Sequence, residues 1–327
     1  MKFSGTGADA GLKAALTGMV DSGRIPHAIM FSESDGGGAV GVAIAFLQYL
    51  FCHNHVDGDS CGTCPSCNRI AKLIHPDVHF IFPTTAQATS LSYAAEWRNL
   101  VLSNPGFTES ELGEALGIEG KSSIIAVAEA KALLQTLSMS ALEGGWKAVV
   151  IYLPEKMNAE AANRLLKAIE EPPELTQFIL VTHSPEKVLQ TIASRCQRIH
   201  VSINGTERRI EFSEPGLLHS LLDALAAHDL TAALDASDAI AAAGSRETLK
   251  IFCKYATQAA RDIFLAQQGL GGLQAQNSEW AAYATKFKKT FPRQAMAAFD
   301  RANMLTERNV NAKLAFADLA CKLFMIR

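Results

Sequence analysis

The chain contains no run of about 18 or more apolar residues, so no transmembrane helix is expected. It also lacks an excess of basic charge. Thirty Lys and Arg stand against 33 Asp and Glu, for a formal net charge of −3. No global field marks it for nucleic acid or a membrane surface, and any DNA contact would come from a local patch or from other chains. Residues 1–5 lack the apolar stretch of a secretion signal and read as a cytosolic start. No fixed-period repeat and no low-complexity tract is present. A secreted disulfide framework is absent too. The seven cysteines are an odd number, four of them crowd into one short window, and Cys196, Cys253 and Cys321 are scattered. The scattered three read as small buried hydrophobes. What remains is a 327-residue chain that is 48% hydrophobic and 19% charged, long enough for a sizeable core and for two or three domains.

The first two thirds read as α/β. Short apolar runs at 28–31, 78–82, 148–153 and 178–182 predict strands, and the run at 148–153 has the unbroken apolarity of a parallel strand buried on both faces. Helices are expected at 39–51 and 158–170, the second stopped by Pro172-Pro173. Strands alternating with helices indicate a doubly wound parallel sheet. Residues 84–123 are polar, with Gly, Pro and Ser punctuation, and are expected to form a surface elaboration, partly helical around 93–102. Beyond Val201 the strand-like runs stop. Residues 219–227, 248–267, 278–289 and 293–324 show helical spacing, so an all-α domain is expected after a boundary near 202–216.

Cys52, Cys61, Cys64 and Cys67 follow the pattern C-x8-C-x2-C-x2-C. Thiolates at x2 spacing allow a tight turn to aim two sulfurs at one ion, and Gly62 and Pro65 supply the turn chemistry. Four thiolates with no spare ligand describe a closed tetrahedral Zn2+ site, structural rather than catalytic, which folds a stretch too short for its own core. An iron–sulfur cluster uses the same donors, and Cys61-x-x-Cys64 alone would suit redox chemistry; both stay open as alternatives. His53, His55, His75 and His79 read as surface or strand histidines beside a complete thiolate set.

The segment after the first strand is Phe31-Ser32-Glu33-Ser34-Asp35-Gly36-Gly37-Gly38-Ala39-Val40. A phosphate-binding loop needs small residues for close backbone approach, a lysine for the β/γ oxygens and a Ser or Thr for magnesium. With Gly38 as the last loop glycine, those two positions hold Ala39 and Val40. Glu33 and Asp35 add negative charge where a polyanion would sit. The apolar strand at 148–151 ends in Tyr152-Leu153-Pro154-Glu155 instead of the acidic pair that would hold magnesium and activate water. Gly36, Gly37, Gly38, Ala39 and Val40 therefore form a degenerate loop, and no ATP is expected there.

Five further segments, taken in order, carry a resemblance: His27-Ala28-Ile29-Met30-Phe31; the four-cysteine module; His75-Pro76-Asp77-Val78-His79; Lys156-Met157-Asn158 with the run 163–173; and Ser194-Arg195-Cys196-Gln197. Together, over roughly residues 20–201, they resemble the delta-prime subunits of the bacterial DNA polymerase III clamp loader, a branch of the AAA+ clamp-loader family. The resemblance implies an AAA+ core at 1–202 carrying the zinc module at 52–67, a linker or reduced lid at 203–216, and a helical collar at 217–327. It implies a subunit that does not hydrolyse ATP and that assembles with gamma/tau and delta subunits to load the sliding clamp on primer-template DNA in the cytoplasm. By the same resemblance Arg195 is an arginine finger acting in trans on a neighbour's ATP, with Ser194 and Cys196 supporting it, and Thr182 falls at the sensor-1 position. A permanently charged, forked guanidinium suits γ-phosphate oxygens as charge develops. The family's three-helix lid has little room between Val201 and the next long helix, so it is reduced, absent or replaced by part of 215–243. The alternatives are an active gamma/tau-like ATPase, which would need a phosphate site that bypasses Ala39 and Val40, and a zinc-containing nucleic-acid-binding module. Charge balance and the absence of aromatic–basic interleaving near the cysteines speak against the latter. Leu314, Phe316, Leu319, Leu323 and Phe324 form an apolar stripe that serves either subunit contacts or the domain's own core.

Overall fold

The apolar run after His27 becomes β1 (Ala28–Ser32), and the four residues from Ala28 to Phe31 are fully buried. In the computed structural model, which describes residues 1–119, 122–201, 203, 212–269, 279–308 and 310–327, the chain divides into two units, Met1–Arg208 and Arg209–Arg327.

The first unit opens with α1 (Ala10–Asp21), capped by the Asp9 side chain on the Leu12 N–H. After β1 come α2 (Ala39–Leu50), α3 (Pro65–Ala71), β2 (Val78–Ile81), α4 (Ala94–Ser103), α5 (Glu109–Ala115), α6 (Val127–Leu137), β3 (Lys147–Tyr152), α7 (Ala159–Glu170), β4 (Thr176–Thr182), α8 (Gln190–Ala193) and β5 (Gln197–His200). The sheet is parallel throughout, in the order β2-β3-β4-β1-β5. β1 leads to the far edge strand β2, the chain steps back through β3 and β4, and β5 adds on the other side of β1. The strand order therefore reverses at β1, and the crevice beyond its carboxyl end is the switch point at which open α/β sheets place ligands.

Two apolar layers sandwich the sheet. One is built on α2, all of whose residues are buried; the other is built on α6 and α7. The alternation along β3 shows why a continuous apolar run was needed: Val150 and Tyr152 face the α2 layer, while Val149 and Ile151 face the α6–α7 layer.

The stretch at 84–123 is more than a surface elaboration. Trp97, Val101, Phe107 and Leu112 are buried in the α2 layer, and Trp97 stacks on Phe82 with ring centroids 4.3 Å apart and planes 7° apart. Polar residues on the outward faces of α4 and α5 hide this anchoring in a reading of composition. β5 is a further addition, an exposed edge strand whose alternation is too polar to stand out.

In the second unit every regular element among the described residues is helical: α9 (Gly216–Ala226), α10 (Leu230–Ala242), α11 (Arg246–Gln267), a 3-10 turn at Glu279–Tyr283, α12 (Phe291–Glu307) and α13 (Ala312–Ile326). Two expectations are corrected. The span 293–324 is not one helix, because Asn311 starts a new one by capping the Leu314 N–H. Around 279–289 there is a short 3-10 turn in place of a regular helix. The apolar stripe also divides: Phe316, Leu319 and Leu323 fill this unit's own core, whereas Leu314 is 69% exposed. The expected linker or reduced lid at 203–216 falls largely outside the described residues. No helix among the described residues is long and apolar enough to cross a membrane.

Candidate functional site

β1 delivers the chain into the glycine-rich turn at the switch point. Gly36 and Gly38 have φ of 83° and 84°, left-handed values that side chains resist. A Cβ on Gly38 would stand 2.6 Å from Ile203 Cδ1, and one on Gly37 would stand 2.7 Å from Glu33 Oε2. Gly38 then starts α2, and a helix start presents N–H groups with no partner inside the helix and a partial positive charge. Those features would suit a phosphate. The group found there is the carboxylate of Glu33: its Oε2 accepts the Ala39 N–H at 2.5 Å, and the residue is 6% exposed. Ala39 and Val40 are buried with no polar side-chain atom to offer.

His183 closes the other side of this carboxylate. Its Nε2 lies 3.6 Å from Glu33 Oε1 and its Nδ1 lies 3.4 Å from Asp35 Oδ1, while the Tyr152 hydroxyl approaches Nε2 at 3.4 Å. Burial by itself would lower the His183 pKa, but the close approach of Glu33 and the charges of Asp35, Glu33 and Glu155 outweigh it, and the pKa is raised above the ordinary imidazole value. Tyr152 is pushed well above its usual value by burial first and the same carboxylates second. Glu155 is turned toward the end of β4, where it accepts from the Thr182 hydroxyl at 2.8 Å, the His183 N–H at 3.0 Å and the Ser184 N–H at 3.2 Å. Asp35 accepts the Glu109 N–H at 2.9 Å, tying the loop to α5, and Lys156 pairs with the Glu109 carboxylate at 2.5 Å. The sequence reading placed Glu33, Asp35 and Glu155 near this pocket but missed the helix-capping role of Glu33 and the part played by His183. An acidic residue shortly before a glycine-started helix is the signal that would have suggested the cap.

Arg195 stands just past α8, outside this pocket. Its guanidinium forms an ion pair with Glu170 at the end of α7 and donates to the Thr191 carbonyl at 2.7 Å, and its side chain remains 37% exposed. Ser194 Oγ receives a longer hydrogen bond from Arg195 Nη1 at 3.4 Å. Cys196 is buried, donates to the Ile192 carbonyl at 3.3 Å, and has its pKa pushed up to about 11 by burial. A thiol so held is no nucleophile at neutral pH.

The four cysteines come together where the segment after α2 meets α3, with Cys64 capping that helix and Cys67 in its first turn. Their sulfurs all lie within 4.8 Å of one another, and Cys61 Sγ and Cys67 Sγ are 3.8 Å apart. Four sulfurs around a tetrahedral ion at about 2.3 Å would be about 3.8 Å from each other, so the donor set and its spacing fit Zn2+. Backbone N–H groups already point at the thiolates. Cys61 Sγ accepts from Cys64 at 3.3 Å and Thr63 at 3.4 Å, which lowers its pKa to about 5, while Cys64 Sγ accepts from Cys67 at 3.4 Å. Burial pushes the Cys67 thiol up. None of the nearby histidines belongs to the cluster. His55 stacks on Tyr49 at 3.8 Å, His75 is buried against Glu143 at 3.2 Å, and His53 approaches Ser66 Oγ at 3.4 Å.

A sequence model of the family described as "DNA polymerase III, delta subunit" matches residues 9–204. DNA polymerase III subunit delta' of Yersinia pestis is 31% identical over 181 residues, covering 55% of this chain and 43% of that protein. The same subunit of Bacillus subtilis is 29% identical over 182 residues, with the same coverages. DNA polymerase III subunit tau of Escherichia coli is 25% identical over 194 residues, which is 59% of this chain and 24% of that protein. The chain thus spans less than half the length of the curated delta' relatives named here. A solved structure of a DNA polymerase III gamma subunit-related protein from Thermotoga maritima overlaps 96% of this chain and 99% of its own at 16% identity, but with a TM-score of 0.41 it adds nothing to the fold argument.

Proposed function

The chain belongs to the DNA polymerase III, delta subunit family, and from that membership we propose that it is a delta-prime-type clamp-loader subunit that binds no nucleotide and acts on its neighbours. It would assemble with gamma/tau and delta subunits into the ring that opens the sliding clamp and places it on primer-template DNA. The first unit would be the AAA+-like core and the second the helical collar.

The observation that carries this reading is the pair Ala39 and Val40. They stand at the start of α2, where a working site needs an ammonium and a hydroxyl, and both are buried apolar side chains. Neither can neutralise triphosphate charge or hold magnesium. Tyr152 and Leu153 at the end of β3 are equally unable to ligate the metal.

In this reading Arg195 is the chain's chemical contribution. Its exposed guanidinium would leave Glu170 when a neighbour's ATP comes within reach and would stabilise charge on the transferring phosphoryl group. Zn2+ would be held by Cys52, Cys61, Cys64 and Cys67, and it supplies a tetrahedral crosslink with no open position for chemistry. What these residues do is fix the turn between α2 and the start of α3, where Cys64 is the capping residue.

Reconstitution tests the proposal. The full chain, mixed with gamma/tau and delta subunits, should enter a complex of defined mass and be required for loading of the clamp on primed DNA. A chain that neither co-assembles nor is needed for loading would refute it.

A further inference from the structure

The degenerate loop raises a physical problem. A helix start, shaped for an anion and walled in by Tyr152, Ala39 and Val40, would be left with an unpartnered N–H and an unbalanced partial charge if the pocket were simply emptied. The loop also needs two left-handed glycines, which favours an open, mobile turn unless something fixes it.

We propose that Glu33 and His183 form a built-in ion pair that takes the place of a bound phosphate and its counter-cation, sealing the nucleotide cleft from inside and holding the loop against the start of α2. This rests on the reading above, that the cleft takes no nucleotide, and says what fills it instead.

Four features support the assignment. Glu33 Oε2 takes the Ala39 N–H, at the position where a helix start would receive a phosphate oxygen. Its other oxygen faces the imidazole of His183, which also reaches Asp35, so one side chain bridges two acidic positions of the same loop. The side chains of Glu33 and His183 are only 3% and 11% exposed, so water screens the pair little. The backbone is tied at the same points: the Glu33 N–H donates to the Thr182 carbonyl at 3.1 Å, and the His183 N–H donates to Glu155. The ends of β1 and β4 are thereby joined through both main chain and side chain. A nucleotide would have to displace Glu33 from α2 and leave a buried carboxylate and imidazole without partners.

The groups facing His183 are Glu33 and Asp35 from the loop, Tyr152 from β3, and Glu155 from the turn after β3; Glu109 and Lys156 pair with each other just beyond. Three carboxylates around one imidazole favour its charged form. A histidine whose pKa is raised on folding contributes stability that is fully present below its unfolded-state value of about 6.5 and is lost as pH rises through the folded-state value. The seal should therefore weaken on the alkaline side.

The test uses the full chain and three variants: Glu33→Gln, Glu33→Ala and His183→Gln. NMR titration of the His183 ring should give a midpoint above the ordinary value in the parent and a midpoint lower by about one unit or more in Glu33→Gln, which keeps the shape but removes the charge. Amide exchange at Ala39 should quicken by about tenfold or more in Glu33→Ala, because its acceptor is gone. The loss of melting temperature in His183→Gln should shrink as pH rises through the parent midpoint. A His183 midpoint that is the same with and without the Glu33 charge, or unchanged Ala39 exchange in Glu33→Ala, would overturn the internal seal. Either failure would leave the functional reading standing. Saturable binding of Mg·ATP by the parent chain would overturn that reading whatever these variants show.

Discussion

The guanidinium of Arg195 and the carboxylate of Glu170 form an ion pair across the gap between α8 and the end of α7. Arg195 is thus held at the surface by one carboxylate, one carbonyl and, at longer range, the Ser194 hydroxyl, with its side chain still 37% exposed. A surface pair of this kind contributes between about 0 and 1 kcal/mol, too little to prevent the side chain from changing partners. Arg195→Ala should therefore leave folding and assembly intact while lowering DNA-stimulated ATP turnover of the reconstituted loader by about tenfold or more. Arg195→Lys should not restore it, since an ammonium lacks the planar fork. Glu170→Gln, which only frees the arginine, should keep turnover close to the parent level. If Arg195→Ala and Glu170→Gln behave alike, Arg195 is a structural residue and not a finger.

The cysteine module should carry one tightly bound metal. Elemental analysis of purified chain is expected to find about one zinc per chain. Replacement by cobalt should give the visible bands of a tetrahedral tetrathiolate, and Cys67→Ser should abolish them. Chelation should disorder the turn between α2 and α3 first, seen as faster amide exchange at residues 52–67, with the parallel sheet retaining its protection. Iron together with inorganic sulfide in the purified chain would select the cluster alternative.

Trp97 is 2% exposed, stacked on Phe82 and edge-on to Phe107 at 5.4 Å, and its Nε1 is buried without a hydrogen-bond partner. Trp97→Ala should cost about 3–5 kcal/mol of stability of the first unit. Trp97→Phe should cost much less, because it deletes the orphaned N–H along with the second ring. Denaturant midpoints of the two variants test this, and equal losses would contradict it.

Gly38→Ala meets two obstacles at once, the left-handed φ of 84° and a Cβ only 2.6 Å from Ile203. It should destabilise the first unit by about 1–3 kcal/mol. Gly18→Ala inside α1, where a Cβ meets nothing within 4 Å, should stabilise by a few tenths up to about 1 kcal/mol. Thermal unfolding of the pair should move in opposite directions.

The sheet was legible where its strands are buried on both faces, because β1, β3 and β4 carry unbroken apolar stretches at 28–31, 148–152 and 178–181, with buried polar residues such as Lys147, Gln177 and Thr182 only at their ends. β5 and α6 escaped notice for the converse reason: one is an exposed edge, and the other has a narrow apolar face of Ala130, Leu133 and Leu137. The cysteine cluster was legible because thiolate spacing is a local property. The Glu33–His183 pair was not, since its members lie on different strands' ends and meet only after β1 and β4 are aligned. The break between α12 and α13 was hidden because both helices have apolar residues at helical spacing and the short junction capped by Asn311 contains neither Gly nor Pro.

The central claim is that the cleft beyond β1 takes no nucleotide. Calorimetric titration of the full chain with Mg·ATP addresses it directly, with a gamma/tau subunit as the positive control. No saturable binding is expected up to about 1 mM ligand, an affinity no better than about −4 kcal/mol. Saturable binding in the micromolar range, lost on replacing Gly38, would contradict the account.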